Sequence, residues 1–530
     1  MSQDSKDKTE VMHWADKTAE RVIELKGDRK QYTVAAGITP SGTVHIGNFR
    51  EIITVDLVKR ALESKGKKVR FIYSWDDYDV FRKVPANMPK QDVLQKYLRK
   101  SIVDVPDTFG CHKSYAEHHE KEIETSIPNV GIFPEFLYQA KKYRAGEYDK
   151  EMKHALEHNN TIKSILNDFR TEEVDDNWVP IAVFCASCGN DTIKKLDWLG
   201  GYKITYACEC GHEEEIEFNK KHIAKLKWRV DWPMRWNFEK VDFEPGGKDH
   251  STVGGSYDTG KVISKKVWNY DAPEYVMYDF IIVKGQGGKM SSSKGNVTTL
   301  KDTLDIYEPE IVRYLFASTR PNAEFAISFD ADVIKIYEDF DKCERIAFDA
   351  EPATDKEKKK QRRIYELSCV DEIPKALPYQ PGFRHLTLIV QIAKHDIKKA
   401  AEHFKEHAKN EFDKKRLKTR LQCAKNWLEK HAPDEFKFSI QEKISAAVTL
   451  NQKQKDAVHT LAQKLAEKTY DAAALHGEFY TICKEKGIET QEFFTAMYNI
   501  LINKNKGPRL ANFIIEIDQD IVLELLKKLK

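Results

Sequence analysis

The stretch Tyr32-Thr-Val-Ala-Ala-Gly-Ile38 runs directly into Thr39-Pro40-Ser41-Gly42-Thr43-Val44-His45-Ile46-Gly47-Asn48, and its reading decides the fold. The first part is short, apolar and rich in β-branched and small residues, so it predicts a buried strand. Thr39 to Thr43 carries a proline and a glycine and predicts a turn. From about Val44 to Ser64 the pattern is that of a long amphipathic helix, stopped at Gly66. Val69 to Ser74 predicts a second strand. Strand, glycine-bearing turn, helix and strand make a βαβ unit, the element that presents a helix N-terminus to nucleotide phosphates. The expected fold class is therefore α/β, with a Rossmann-type parallel-sheet catalytic domain.

Outward from this unit, His13 to Leu25 reads as an earlier helix. From about Pro85 to Lys227 the pattern turns helical and then gives way to a short cysteine-bearing stretch, expected as an insertion. Strand signals return over Val230 to Val283, including Lys261–Trp268 and Tyr278–Val283, before the loop Gly285-Gln-Gly-Gly288. Helical patterns take over after Leu300, and the charge run Asp355–Arg363 reads as a solvated helix or linker. Beyond Tyr379-Gln-Pro-Gly382 the pattern is almost all helix. The expected domains are a core in 1–84 and 228–300, a zinc-bearing insertion in 85–227, a helical connecting domain in 301–380 and an all-α region in 381–530.

A length of 530 residues is ample for three or four domains. Lys and Arg number 86 against 84 Asp and Glu, so any polyanion must be met by local basic patches. No apolar run approaches the length of a membrane span, and Met1–Glu10 is polar, so a cytoplasmic protein without a membrane partner is expected. Five of the nine cysteines fall at 111, 185, 188, 208 and 210, a clustering that argues for metal rather than a disulfide framework.

Two segments carry phosphate chemistry. In the turn after the first strand, Ser41 and Gly42 offer backbone N–H groups, His45 adds a donor, Gly47 leaves room for a ring, and Asn48 shares the face of His45. Lys289-Met290-Ser291-Ser292-Ser293-Lys294-Gly-Asn296 lies in a glycine-flanked loop able to bring lysine charge and hydroxyl donors onto a leaving pyrophosphate. Cys185-x-x-Cys188 with Cys208-x-Cys210 is a four-thiolate set suited to structural zinc, with Gly189 and Gly211 permitting the tight knuckles and His212 as a substitute ligand. Asp107, Cys111, His112, His118 and His119 are a second constellation able to surround a zinc ion, or else a polar helix surface.

His45-Ile-Gly-Asn48 and Lys289-Met-Ser-Ser-Ser293 together resemble the paired signatures of the class I aminoacyl-tRNA synthetases, H-I-G-H and K-M-S-K-S. Asn48 replaces the last histidine, and Ser292 replaces the second lysine, leaving Lys294 as the substitute cation. Gly247-Lys-Asp249-His250 resembles the element in which an aspartate holds the ATP ribose. Asp77-Tyr-Asp79, followed by Arg82, resembles a stretch of the glutamyl-type enzymes, but Ala35 stands where those carry the arginine for a side-chain carboxylate. With Ala36–Glu51, His13-Trp-Ala-Asp16 and Gly507-Pro-Arg-Leu510, the chain resembles the class I lysyl-tRNA synthetases over essentially its whole length.

That resemblance implies activation of L-lysine by ATP with Mg²⁺, then transfer to tRNA(Lys). It implies phosphate contacts from His45, Asn48, Lys289, Ser291, Ser292, Ser293 and Lys294, and ATP contacts from Ser41, Gly42, Gly47, Gly247, Asp249 and Met290. Gly37 and Thr39 would meet the lysine α-groups, with Trp228, His250 and Tyr278 as pocket walls and Asp77 and Asp79 as negative field. It selects Asp107, Cys111, His112 and His118 for the second zinc, and an anticodon-binding role for residues 381–530, where Trp427, Phe436, Phe438 and Phe479 offer rings and Lys414–Arg420 offers charge. Other readings are a class I synthetase for arginine, cysteine or glutamate, a tRNA-binding paralogue, or a small nucleotidyltransferase. A monomer is favoured over an oligomer.

Overall fold

The structure is a computed structural model that describes residues 12–170, 172–285 and 297–529. These form two compact units. The first comprises the chain to Leu304 together with 309–327 and 342–375. Its centre is a parallel sheet of β1 (Gln31–Ile38), β2 (Lys68–Trp75), β3 (Glu135–Tyr138) and β4 (Val241–Phe243), in the order β3-β2-β1-β4. Tyr32 pairs with Val69 and Ile38 with Trp75, so β1 and β2 end level at the edge where the turn begins. Helix α1 (Trp14–Lys26) precedes β1, and α2 (Ile46–Ser64) crosses between β1 and β2. The interior of β1 is apolar without alternation because both faces are covered, the usual condition of a parallel strand.

Two features differ from the sequence reading. The core sheet draws β3 from within residues 85–227, because Phe136 and Leu137 pair with Tyr73 and Ser74. Lys261–Trp268 is not a strand but the second half of α4 (Ser256–Trp268), which follows α3 (Trp228–Glu239). Its buried Gly260, Ile263, Ser264 and Val267 keep a helical period, and an added Cβ at Gly260 would lie 2.9 Å from the Trp236 ring. Met277–Tyr278 pairs with Gly246–Gly247, and Ile281–Val283 pairs with Phe325–Ile327.

Buried arginines clasp this unit. Arg50 of α2 donates to the carbonyl oxygens of Asp279, Phe280, Arg320 and Ala323. Arg313 pairs with Asp56 at 2.7 Å and donates to Val130 and Leu367 carbonyls. Arg363 meets Asp16 through two bonds of 2.6 and 2.9 Å. A small antiparallel ribbon of Ile193–Gly200, Lys203–Cys208 and Glu213–Glu217 carries Cys208 and, in the turn before its last strand, Cys210.

The second unit comprises Asp305–Glu308, Ser328–Asp341 and the chain from Ala376. Among its described residues there is no strand. Helices Gln452–Glu467, Ala472–Lys486, Thr490–Ile502 and Leu510–Ile517 pack around Leu461, Phe479, Phe493, Met497 and Phe513, all fully buried. Trp427 is also buried and donates its indole N–H to the Phe329 carbonyl. Trp427 and Phe479 are therefore core residues and not the stacking surfaces considered from sequence. Among the described residues no helix is long and apolar enough to cross a membrane.

Candidate active site

The turn after β1 opens onto a cleft of about 1240 Å³ in the first unit, lined by Thr39, Ser41, Gly42, His45, Gly47, Asn48, Gly247, Asp249, His250 and Tyr278 among others. The strand ends there because Pro40 cannot continue the ladder. Asn48 accepts a hydrogen bond from the His45 backbone N–H at 3.2 Å and so caps the start of α2. Gly47 of that first turn lines the cleft, where a helix N-terminus suits phosphate, while the Asn48 N–H donates to the His45 carbonyl at 2.9 Å.

Lys289, Met290, Ser291, Ser292, Ser293 and Lys294 lie outside the described residues. The segment that follows them is fixed to the first signature: His45 bridges Thr299, and the Ile46 N–H donates to the Thr298 carbonyl at 2.8 Å. The strand Ile281–Val283 stands on their other side.

Pairing of Gly247 with Tyr278 brings the Gly247–His250 element beside the amino-acid pocket candidates. Trp228 and Trp232 stack with centroids 5.4 Å apart, and His250 sits 6.2 and 5.9 Å from them. Arg235 lies over the Trp228 ring, 5.5 Å from its centroid. Burial lowers the pKa of His250, favouring a neutral imidazole.

The acids of the cleft sort by partner. Asp76 is paired with Arg235 at 2.6 Å. Asp79 accepts from the Thr39 hydroxyl at 3.0 Å and pairs with Lys225. Burial acts to raise Asp79, but Lys225 outweighs it and holds the carboxyl below its usual range. Asp77 is not brought into the cleft: its carboxylate accepts from the Ala140 N–H at 2.7 Å, and burial pushes its pKa up to about 7.

Among the described residues Glu51 has no cationic partner. It accepts from the Gly37 N–H at 2.8 Å and from the Tyr278 hydroxyl at 2.6 Å, and burial pushes its pKa up to about 8. Sequence reasoning assigned Glu51, Asp76, Lys225 and Arg235 no role. Glu51 closes the stretch that carries the family resemblance, but on a helix a lone glutamate reads as a solvated side chain.

Cys185, Cys188, Cys208 and Cys210 converge, with sulfur atoms within 4.8 Å of one another. Cys185–Cys210 and Cys188–Cys208 separations are 3.8 and 3.7 Å. Four sulfurs about 2.3 Å from a tetrahedral zinc would stand about 3.8 Å apart, so the set fits that ion and leaves no open position. Gly189 and Gly211 turn the knuckles with φ of 76° and 89°, which favour glycine. The ribbon strand carrying Ile193, Lys194 and Lys195 also lines the cleft.

Asp107, Cys111, His112 and His118 also converge within 4.8 Å. The Cys111 sulfur lies 3.1 and 3.3 Å from the Nδ1 atoms of His112 and His118, and Asp107 lies 3.6 Å from His118. Three backbone N–H groups, from Phe109, Cys111 and His112, hold the Asp107 carboxylate in place. The donors are of the mixed nitrogen, sulfur and oxygen type that zinc accepts. His119 turns away to Glu122, at 3.0 Å.

Residues 12–371 match the model of the family described as tRNA synthetases class I (K). A lysine–tRNA ligase of Borreliella burgdorferi is 49% identical over 505 residues, covering 95% of this chain and 96% of its own. One of Thermococcus kodakarensis is 42% identical, covering 98% and 99%. A solved glutamate tRNA ligase of Elizabethkingia meningosepticum aligns over 94% of this chain and 99% of its own with 12% identity and a TM-score of 0.47.

Proposed function

Because the chain belongs to the class I tRNA synthetases (K), we propose a residue-level reading of how its cleft works as a lysine–tRNA ligase. The lysine carboxylate attacks the α-phosphorus of ATP, expelling pyrophosphate and leaving lysyl-adenylate. The terminal ribose hydroxyl of tRNA(Lys) then attacks the acyl carbon and AMP departs. No side chain serves as a covalent nucleophile. The work is positioning and charge stabilisation at the phosphorus.

His45 and the Gly47 N–H at the start of α2 meet phosphate oxygens, Asn48 keeps that turn formed, and Asp249 holds the ribose. Lys289, Lys294 and the serines between them grip the β- and γ-phosphates, which ATP brings with Mg²⁺. Trp228 and His250 wall the aliphatic stem of lysine. Thr39 lies beside the α-groups, while the Gly37 N–H serves Glu51 instead.

One observation carries the choice of lysine. Among the described residues Asp76 and Asp79 each face a cation of the protein, whereas Glu51 faces a backbone N–H and a tyrosine hydroxyl. A buried carboxylate without a countercharge suits a ligand that brings one. Glu51 and Tyr278 therefore take the lysine ε-ammonium, the part assigned from sequence to Asp77 and Asp79. On this reading residues 1–84 and 228–300 would serve as catalytic core together with β3, 85–227 as zinc-bearing insertion, 301–380 as connecting segment and 381–530 as anticodon-binding helices.

The test is ATP–pyrophosphate exchange with each amino acid, with and without tRNA. Exchange with lysine alone is expected, and exchange with arginine in its place would sink the assignment. His45→Ala should lower exchange about ten- to hundredfold, the worth of a hydrogen bond to a charged group, with little change in unfolding midpoint. An equal loss of stability would make His45 a structural residue.

Zinc in the two clusters would act structurally, fixing the ribbon strand beside the cleft and the loop Asp107–His118. Atomic emission is expected to find two tightly held ions per chain. His118→Ala should leave one and Cys188→Ser should release the other. One ion in the native protein would remove the second site.

A further inference from the structure

A third set of metal-type ligands lies in the helical unit and takes no part in the reaction proposed above. His385 stands near the start of helix Phe383–Ile392, His403 directly follows helix Ile397–Glu402, and Glu516 lies in helix Leu510–Ile517. Three elements well separated in sequence thus deliver one donor each to a single point. Nε2 of His385 is 2.9 Å from Oε1 of Glu516, and Nε2 of His403 is 2.6 Å from Oε2. The three donor atoms fall within 4.8 Å of one another.

The arrangement is held rather than incidental. Both histidines turn the same ring nitrogen inward. The buried ring of Phe404 meets both imidazoles edge-on, with centroids 5.4 and 5.1 Å away. The His385 and His403 side chains stay 41% and 36% exposed, so water reaches the open face.

We propose that His385, His403 and Glu516 form a binding site for a first-row divalent cation of the Zn²⁺ type. Two imidazoles and a carboxylate match zinc, nickel or copper, whereas magnesium and calcium prefer oxygen sets. Without a cation, each histidine must lend a proton to the contact with Glu516. A cation replaces those protons and binds both rings and the carboxylate at once. Three protein donors with an open face make an exchangeable site completed by water, unlike the closed four-thiolate set. The ion would tie helix Leu510–Ile517 to Phe383–Ile392 and to His403. It would stabilise the unit because only the folded chain assembles the three donors.

The experiment uses the full-length protein with its tightly held metal in place, dialysed and then titrated with Zn²⁺ by calorimetry. The expected result is one exchangeable equivalent, together with a rise in melting temperature on adding Zn²⁺. Both should vanish in His385→Ala and in the near-isosteric Glu516→Gln. Both should persist in His407→Ala, which alters a neighbouring histidine stacked on Tyr379. Circular dichroism establishes that each variant is folded. An equivalent that survives in both cluster variants would overturn the site. So would native protein that takes up no exchangeable zinc, which would leave the three residues as an ion-pair staple.

Discussion

Glu51→Gln should cut kcat/KM for lysine by about two to three orders of magnitude while leaving the KM for ATP near its native value. The substitution keeps size and most hydrogen bonding but removes a buried cleft carboxylate that meets no cation among the described residues. The lysine ammonium would then enter a buried site without a countercharge, and breaking such a pair costs about 3–5 kcal/mol. Pyrophosphate exchange at varied lysine measures it, and a change below threefold would remove Glu51 from lysine recognition.

A pH profile separates this role from a structural one. Burial raises Glu51 from its ordinary 4.5 to about 8, so the free enzyme holds the carboxyl protonated at neutral pH. The native kcat/KM for lysine should therefore climb with pH and level off near 8, and the glutamine variant should lose that climb. For stability the sign is opposite. The unfolded chain ionises first, so the stability belonging to the neutral carboxyl is whole below about 4.5 and is lost as pH rises through about 8. At pH 8 Glu51→Gln should be at least as stable as the native protein, although much less active.

Arg420→Met should destabilise the helical unit by about 3–5 kcal/mol. Arg420 is fully buried and bonds Glu308 through Nε and Asp341 through both terminal nitrogens, at 2.9 Å each. Methionine fills much of the volume but strands two acids in the interior. Arg416 reaches Glu308 at 3.3 Å and lies 3.9 Å from Asp341, which is too far to replace both bonds. Urea unfolding of the full chain, read with hydrogen exchange in helix Glu411–Lys430, measures the loss. Replacing Glu308 and Asp341 by leucine and Arg416 by methionine in the same variant should recover most of it, since a buried charge network exchanged whole for apolar groups costs little. A loss under 1 kcal/mol would mean that water enters the network.

What could be read from sequence was local. The βαβ unit is contiguous, its turn residues have distinct chemistry, and each pair of thiolates sits on its own knuckle. The misreadings are equally physical. Val262 and Ile263 are β-branched and suggested a strand, but the buried positions of α4 recur three and four apart. Strand β3 is only four residues long, too short to stand out from the helical pattern around it. Asp77 and Asp79 looked alike, yet the backbone aims one at the Ala140 N–H and the other at Lys225. Glu51 could not be found from spacing, because its partners lie 14 and 227 residues away.

The clasp formed by Arg50 bears on how the protein is made. Its acceptors at Arg320 and Ala323 lie 270 and 273 residues further along, and the partner of Asp16 lies 347 residues on. At about 5–20 residues per second, Arg320 leaves the ribosome roughly 15–55 s after Arg50. For that interval the nascent chain holds β1, α2 and the first signature without the segments that close them. Contacts this distant in sequence also form slowly. The N-terminal half consequently waits for the later segment before it is closed, and a chain that terminates before residue 323 cannot complete the clasp.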